Sequence, residues 1–411
     1  MASIKRIAYI SVHGCPYRRL GEKDAGGMNV YILAMAKELG RRGIAVDVYT
    51  RVHDLNDPQV FELGENARVI HLRAGPLEEE KNNIYQHVPT FTEELIKYAE
   101  ENDLHYDLIH SHYWLSSEVA AELKKRWNIP VVTMFHTVGE LKKMSRWGEN
   151  EPDFRLDVER RAMQESDLII TSNPDERGHL MRLFGVDSHR IAVLPCGIDT
   201  EMFKPLDRDK ARKELSIQTK DKVLIFVGRL EPLKGIDTIL MAIADVGDKS
   251  NLKFLVVGGN PDTDAEASRL MGIAKMLKID GHVTFTGSIA HEKLATYYSA
   301  ADVCLVPSYY ESFGLVAVEA MACGTPVIAS MVGGLKTTVI DGHNGYLIPW
   351  RCPEAFTERI EMLISNRPLR DALGNHAKDS IERLVWERVA DQVLNAYQSC
   401  LDSYGMPVGA A

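Results

Sequence analysis

Short apolar runs recur along the chain, separated by segments whose apolar positions repeat every three or four residues. IAYISV, IAVDVY, ARVIHL, DLIH, PVVTMF and DLIITS lie in the first half, and KVLIFVG, KFLVVGG, VTFTG, DVCLVP and PVIAS in the second. A continuous apolar run suits a strand buried on both faces, and a helix-period segment supplies the stripe that covers it. Their alternation predicts βαβ units, parallel sheets and an α/β chain of doubly wound, Rossmann-like domains.

The series breaks at VLPCGIDTEMFKP, residues 193–205, where a strand gives way to a segment punctuated by Pro and Gly. A charged helix, DRDKARKELSI, follows, and the second series begins at Lys222. This predicts one domain over residues 1–197 and a second over 198–380, facing across a cleft. Within residues 381–411, ERLVWERVADQVLNAYQSCL reads as a long amphipathic helix packing back across the domains, with a frayed tail, SYGMPVGAA. Parallel sheets bind ligands beyond the carboxyl ends of their strands, so each domain should offer one ligand-binding rim.

The bulk numbers agree with two cores. At 411 residues the chain exceeds one ordinary domain. A hydrophobic content of 45% is that of a soluble globular protein. A net charge of −10 argues against a nucleic-acid partner, which needs a basic face to neutralise phosphates. Six cysteines lie scattered with no CxxC pair and no zinc-type His spacing, so a reduced, cytoplasmic setting and no metal are expected. MASIKRIAYISV is too short for a secretory leader and reads as the first strand, and no run approaches the roughly 18 apolar residues of a membrane span.

The most informative segment is YYESFGLVAVEAMACGTPVIAS, in which Glu311 and Glu319 stand eight positions apart. Glu311 falls in the loop after the strand ADVCLVPS. Glu319 is expected roughly two turns into a helix that starts near Leu315 and stops at Gly324 and Pro326. Eight helical residues rise about 12 Å, comparable to the spacing of ribose and sugar ring in an extended nucleotide diphosphate sugar. Between the carboxylates lies a helix N-terminus, whose open N–H groups suit a pyrophosphate. Two solvated glutamates are the bland alternative, but Glu319 sits among apolar residues, where an unpaired carboxylate is costly.

Three further segments carry chemistry. In GEKDAGGMNVYILAMAKELGRRG, Gly26 and Gly27 precede an amphipathic helix, which lets backbone approach an anion, although a Gly pair before a helix is more often only a turn. In FVGRLEPLKGIDTIL, Arg229 and Lys234 occupy a strand-to-helix loop, where a guanidinium fork and an ammonium can hold phosphate. In VVTMFHTVGELKKMSRWGE, His136 follows a buried strand, and HSHYWLSS brings Tyr113 to the same rim. Lys81, Lys142, Lys143 and Arg155 could there receive an anionic acceptor or form an ordinary wet surface.

DAGGMNVY, FHT, GRLEPLKG and ESFGLVAVEAMACGTPVIAS, in this order and at these separations, make the whole chain resemble the retaining family 4 glycosyltransferases of the GT-B fold. The resemblance implies an enzyme that moves a hexosyl group from a nucleotide diphosphate sugar, UDP-GlcNAc or UDP-glucose, to a hydroxyl of a small phosphorylated polyol or sugar. The nucleotide sugar is a co-substrate, and neither cofactor nor metal is implied. His136, Glu311, Arg229 and Lys234 take the catalytic roles. The donor is held by Arg229 and Lys234 on the diphosphate, Glu311 on the sugar, Glu319 on the ribose, the amides of Gly314 and Leu315, and the backbone of Gly27.

Within the family, ISVHGCPYRRLGEKDAGGMNVY most resembles the inositol-phosphate N-acetylglucosaminyltransferases of mycothiol synthesis. That likeness implies Asn29, Lys81, Tyr113, Thr137 and Arg155 as acceptor-binding residues. Sucrose-phosphate synthases share the plan, and a GDP-mannose-dependent transferase is a further alternative. SIAHEKL, residues 288–294, departs from the family in lacking an Arg near the donor, and Lys336 stands where Pro is common. A nucleotide-sugar epimerase and a non-catalytic nucleotide-sugar-binding module are the remaining readings, and a homodimer stays open.

Overall fold

A computed structural model describes residues 4–17, 26–146 and 149–404. Asp24 and Ala25 of DAGGMNVY, Trp147 and Gly148, and all but the first two residues of the C-terminal tail therefore lie outside the described residues. The chain divides into two compact units. One holds the described residues up to Pro195 together with the C-terminal helix from Trp386, and the other holds Cys196–Val385.

The first unit is built on an eight-stranded sheet of β1 (Arg6–Ile10), β2 (Ala45–Arg51), β3 (Val60–Gly64), β4 (Ala67–Leu72), β5 (Leu108–His112), β6 (Val131–Met134), β7 (Leu168–Thr171) and β8 (Ile191–Val193). Their order is β3-β4-β2-β1-β5-β6-β7-β8. All pair in parallel except β3 with β4. The second unit carries a six-stranded, all-parallel sheet of β9 (Lys222–Val227), β10 (Leu252–Val257), β11 (Val283–Gly287), β12 (Val303–Val306), β13 (Val327–Ser330) and β14 (Gly345–Ile348), ordered β11-β10-β9-β12-β13-β14. Two strands escape the hydrophobic pattern, VFELG of β3 and GYLI of β14. Both are short edge strands, and β3 buries only Leu63, so neither needs the two-sided apolar run that marks an interior strand.

Each sheet is tied at the amino ends of its strands by one buried aspartate. Asp47 in β2 accepts from Arg6 Nη1 at 2.7 Å, Arg68 Nε at 2.6 Å and Tyr106 Oη at 2.8 Å. Asp302, just before β12, meets Arg208, Arg212 at 2.9 Å and Arg370 at 3.2 Å, and accepts the Val223 N–H at 2.7 Å. A carboxylate out of water needs such compensation: the first set joins β1, β2 and β4 to the segment before β5, and the second joins β9 and β12 to helices distant in sequence.

The C-terminal helix is Trp386–Ser403, with Glu382–Leu384 a separate short turn before it. It completes the first unit. Trp386 packs edge-on against Tyr31 at 5.8 Å, Arg42 bonds Asp391 and the Glu387 carbonyl, and Tyr397 Oη meets both Tyr9 Oη at 2.9 Å and His110 Nδ1 at 2.6 Å. None of the six cysteines forms a disulfide. Among the described residues no helix is long and apolar enough to cross a membrane.

Under that helix lies a line of imidazoles, His110 and His112 on β5 and His136 beyond β6, with His112 Nδ1 and His136 Nε2 3.0 Å apart. Burial holds His110 and His112 well below the usual histidine range and pushes His136 down to about 3. The unfolded chain protonates these rings near pH 6.5 while the folded chain does not. Below that pH the unfolded state binds more protons, and stability falls by about 1.4 kcal/mol per pH unit for each ring that stays neutral. Urea titrations of the Glu176→Gln variant, in which the opposing titration of that carboxyl is absent, are expected to show a lower midpoint at pH 5.5 than at 7.5; an unchanged or higher midpoint contradicts this assignment. Glu176 acts at the other end of the scale, since burial, aided by the charge of Glu159, raises its carboxyl to about 8. Folding therefore forces it neutral where the unfolded chain ionises. Glu176→Gln is expected to stabilise the protein by about 2–4 kcal/mol at pH 7.5, with the gain disappearing near pH 4.

Candidate active site

In the first unit the strand order reverses between β1 and β5, which opens the rim of the sheet at their carboxyl ends. Three chain segments meet there: the loop after β1 with His13, Tyr113 after β5, and His136 and Thr137 after β6. The His13 and Tyr113 rings are 4.5 Å apart, Lys81 Nζ lies 5.5 Å from the centre of the Tyr113 ring, and the Arg155 guanidinium lies 5.0 Å from it. Tyr113 and His136 have φ of 76° and 58°. Side chains with a Cβ rarely adopt such values, and the strain marks backbone held by its surroundings rather than by its own preference.

Arg155, from helix Asp153–Glu165, is what holds it. The side chain is only 1% exposed, with Nε on Glu159 at 2.8 Å, Nη1 on Glu151 at 2.6 Å, and Nη2 on the Thr137 carbonyl at 3.0 Å. Glu159 in turn accepts the Gly139 N–H at 2.8 Å. A Cβ on Gly139 would stand 2.8 Å from Leu156 Cδ2 and 3.1 Å from Arg155 Nε, so a larger residue there would have to displace those side chains. Arg155 thus enters the rim as a buried brace beneath Tyr113 and Thr137, with its charge balanced by two glutamates. Lys142 is also turned inward, to Glu149 at 3.4 Å and to Glu151. Among the described residues neither Lys81 nor Lys143 has a carboxylate at ion-pair distance, and of the two Lys81 faces the Tyr113 ring.

Asn29, on helix Gly27–Arg41, is 2% exposed and uses both polar atoms on backbone. Nδ2 donates to the Cys15 carbonyl at 2.7 Å and Oδ1 accepts the Gly26 N–H at 3.3 Å. It fastens the β1 loop to the helix start.

In the second unit the order reverses between β9 and β12. Arg229 follows β9 and is half-exposed, with Nη1 2.7 Å from Glu231. Lys234 ends the short turn Pro232–Lys234, and its ammonium lies 2.8 Å from Glu311, which also accepts from Ser308 Oγ at 3.3 Å. Gly235, with φ +66°, permits this meeting: a Cβ there would come within 2.2 Å of the Pro307 carbonyl oxygen. Sequence reasoning treated Lys234 and Glu311 as separate contacts. The fold makes them one ion pair.

Helix Leu315–Ala322 begins beyond Gly314, whose φ is +93°. Glu319 is its fifth residue, little more than one turn in rather than two. Only the steps from Leu315 onward are helical, about 6 Å of rise, and the figure of about 12 Å for the whole separation does not stand. Glu319 is 5% exposed and paired, accepting from Tyr298 Oη at 2.8 Å and lying 3.0 Å from His291 Nε2. Burial, with the neighbouring Glu319 charge, pushes the Tyr298 phenol well up, so it stays a donor. His291 and Tyr298 were missed in the sequence. His291 lies in SIAHEKL, the segment that departs from the family by lacking an Arg, and only the fold brings it to the carboxylate.

Two family models match almost end to end. Residues 25–202 match "Glycosyltransferase Family 4", and residues 207–380 match "Glycosyl transferases group 1". The chain is 36% identical to D-inositol 3-phosphate glycosyltransferase of Nocardiopsis dassonvillei, over 98% of this chain and 97% of the relative. It is 38% identical to the protein of that name from Geodermatophilus obscurus, over 97% and 90%. The solved structure of sucrose-phosphate synthase from Thermosynechococcus elongatus superposes with a TM-score of 0.90 at 36% identity, covering 97% of this chain and all of that one. Two parallel α/β units with ligand rims at their switch points, and matches of this length, make the chain a member of the family 4 glycosyltransferases of the GT-B fold.

Proposed function

We propose that the chain transfers a hexosyl group from a UDP-linked sugar to a hydroxyl of a phosphorylated polyol, of which inositol phosphate is the leading candidate. The observation that carries this is the 36–38% identity to D-inositol 3-phosphate glycosyltransferases over nearly the whole chain. The grouping of Lys81, Arg155 and His13 about the Tyr113 ring supports it.

The first unit takes the acceptor, with Lys81 meeting its phosphate, Tyr113 and Thr137 lining the polyol, and Arg155 and Asn29 keeping the rim in shape. The second takes the donor. An ammonium has three N–H donors, so Lys234 bound to Glu311 still offers two to the diphosphate, beside the fork of Arg229. The amides of Gly314 and Leu315 add the helix terminus. Glu311 receives sugar hydroxyls. Glu319 keeps acceptor capacity beyond Tyr298 and His291 for the ribose hydroxyls.

The acceptor oxygen attacks the anomeric carbon on the face from which UDP leaves. The new C–O bond forms as the old one to phosphate breaks, the acceptor proton passes to a phosphate oxygen of the leaving group, and the anomeric configuration is retained. No protein nucleophile is required. Cations and helix N–H groups stabilise the charge that grows on the diphosphate, so this chemistry calls for no metal. His136, neutral at working pH, serves as a hydrogen-bonding group for the sugar near the reacting carbon.

A second reading, synthesis of sucrose phosphate, is favoured by the structural match to sucrose-phosphate synthase. A matrix of UDP-GlcNAc and UDP-glucose against inositol 3-phosphate, fructose 6-phosphate and unphosphorylated inositol separates the two by UDP release. Turnover with fructose 6-phosphate alone selects the second reading, and no turnover in any cell defeats both. The product's anomeric coupling in NMR should match the donor, and added Mg²⁺ should change kcat by less than about twofold. Lys81→Ala is expected to raise the acceptor KM about tenfold, equivalent to about 1.4 kcal/mol, with the donor KM nearly unchanged. An equal loss with unphosphorylated inositol would remove Lys81 from the phosphate.

A further inference from the structure

We infer that the first unit holds a zinc-type metal site formed by Cys15, His53 and His71. The three come from separate parts of the sequence. Cys15 lies in the loop after β1, His53 just beyond β2, and His71 within β4. The sheet order places β4, β2 and β1 side by side, and one ligand atom from each residue lies within 4.8 Å of the other two. Cys15 Sγ and His71 Nε2 are already 3.3 Å apart. Zinc–sulfur and zinc–nitrogen bonds of about 2.3 and 2.0–2.1 Å in a tetrahedron require ligand separations near 3.5 Å, so the cluster closes on a metal with side-chain adjustments of about 1 Å.

The orienting partners are those a metal site needs. His71 Nδ1 is 2.7 Å from the Pro58 carbonyl, which accepts its N–H and leaves Nε2 with a lone pair facing the sulfur. His53 Nδ1 is 2.9 Å from Asp57, and that carboxylate is itself fixed by the N–H groups of His53 at 3.1 Å and Asp54 at 2.9 Å. A carbonyl behind one imidazole and a carboxylate behind the other set ring direction and raise basicity. Cys15 and His71 are 2% and 3% exposed. One thiolate and two imidazoles form a donor set that selects zinc over magnesium or calcium. A bound ion would clamp the β1 loop to the sheet, and His13, two residues before Cys15, packs against the Tyr113 ring at 4.5 Å. The alternative occupant of the cluster is only a proton, in a thiol-to-imidazole hydrogen bond.

Cobalt(II) distinguishes the two and does not depend on the substrate assigned above. Metal-stripped protein titrated with Co²⁺ is expected to bind one equivalent and to show a near-ultraviolet thiolate-to-cobalt charge-transfer band, which Zn²⁺ abolishes by displacement. Cys15→Ser should lose the band, and Asp57→Asn should weaken Zn²⁺ binding about 10–100-fold. Zn²⁺ should raise the Tm of the stripped wild-type protein. The wild-type spectrum stands whether or not the variants fold. Absence of metal uptake, cobalt bound without the thiolate band, or Zn²⁺ held equally by folded Cys15→Ser would overturn the site.

Discussion

Parallel strands can be joined only by a crossover that carries the chain back along the sheet, and here helices cover the sheet faces as they make that return. The constraint leaves each unit with one edge at which every parallel strand ends and a loop begins. Where the strand order reverses, β1 beside β5 and β9 beside β12, neighbouring loops diverge and the edge opens. Four of the candidate ligand contacts follow directly from this geometry: Tyr113 and His136 lie just past strand ends, Arg229 leaves β9, and Glu311 leaves β12.

Buried charge does the finer positioning. A guanidinium or carboxylate removed from water persists only when each of its polar atoms is met, so one such group draws several backbone segments to itself. Arg155 gathers Glu151, Glu159 and Thr137, and fixes the loop below Tyr113. Glu319 gathers Tyr298 and His291, and Lys234 gathers Glu311. These pairings turn residues that appear as isolated charges in the sequence into positioned groups, and they divide the basic residues into buried braces such as Arg155 and half-buried cations such as Lys81.

Much of the fold was legible because interior strands of parallel sheets are apolar on both faces and stand out as runs. The edge strands β3 and β14 lack that requirement and were silent. The site was legible as a set of rim positions, since a His after PVVTM or an Arg after FVG can only lie at a strand end. Partners were not. Nothing in SIAHEKL announces that His291 reaches Glu319, and nothing in the spacing of Cys15, His53 and His71 resembles a zinc motif, because their ligands are brought together by strand order rather than by local sequence.

The sequence by itself determined the alternating elements, the two-unit α/β class and the family, since hydrophobic period and motif order are properties of the chain read along its length. Tertiary structure alone decided which carboxylate meets which cation, that Glu319 lies just past the first helical turn, that Asn29 is bound to backbone, and that the C-terminal helix completes the first unit. The physical reason is the same in each case. Apolar burial is set residue by residue, whereas an ion pair or a ligand cluster depends on distances between segments that only the closed sheet and its covering helices define.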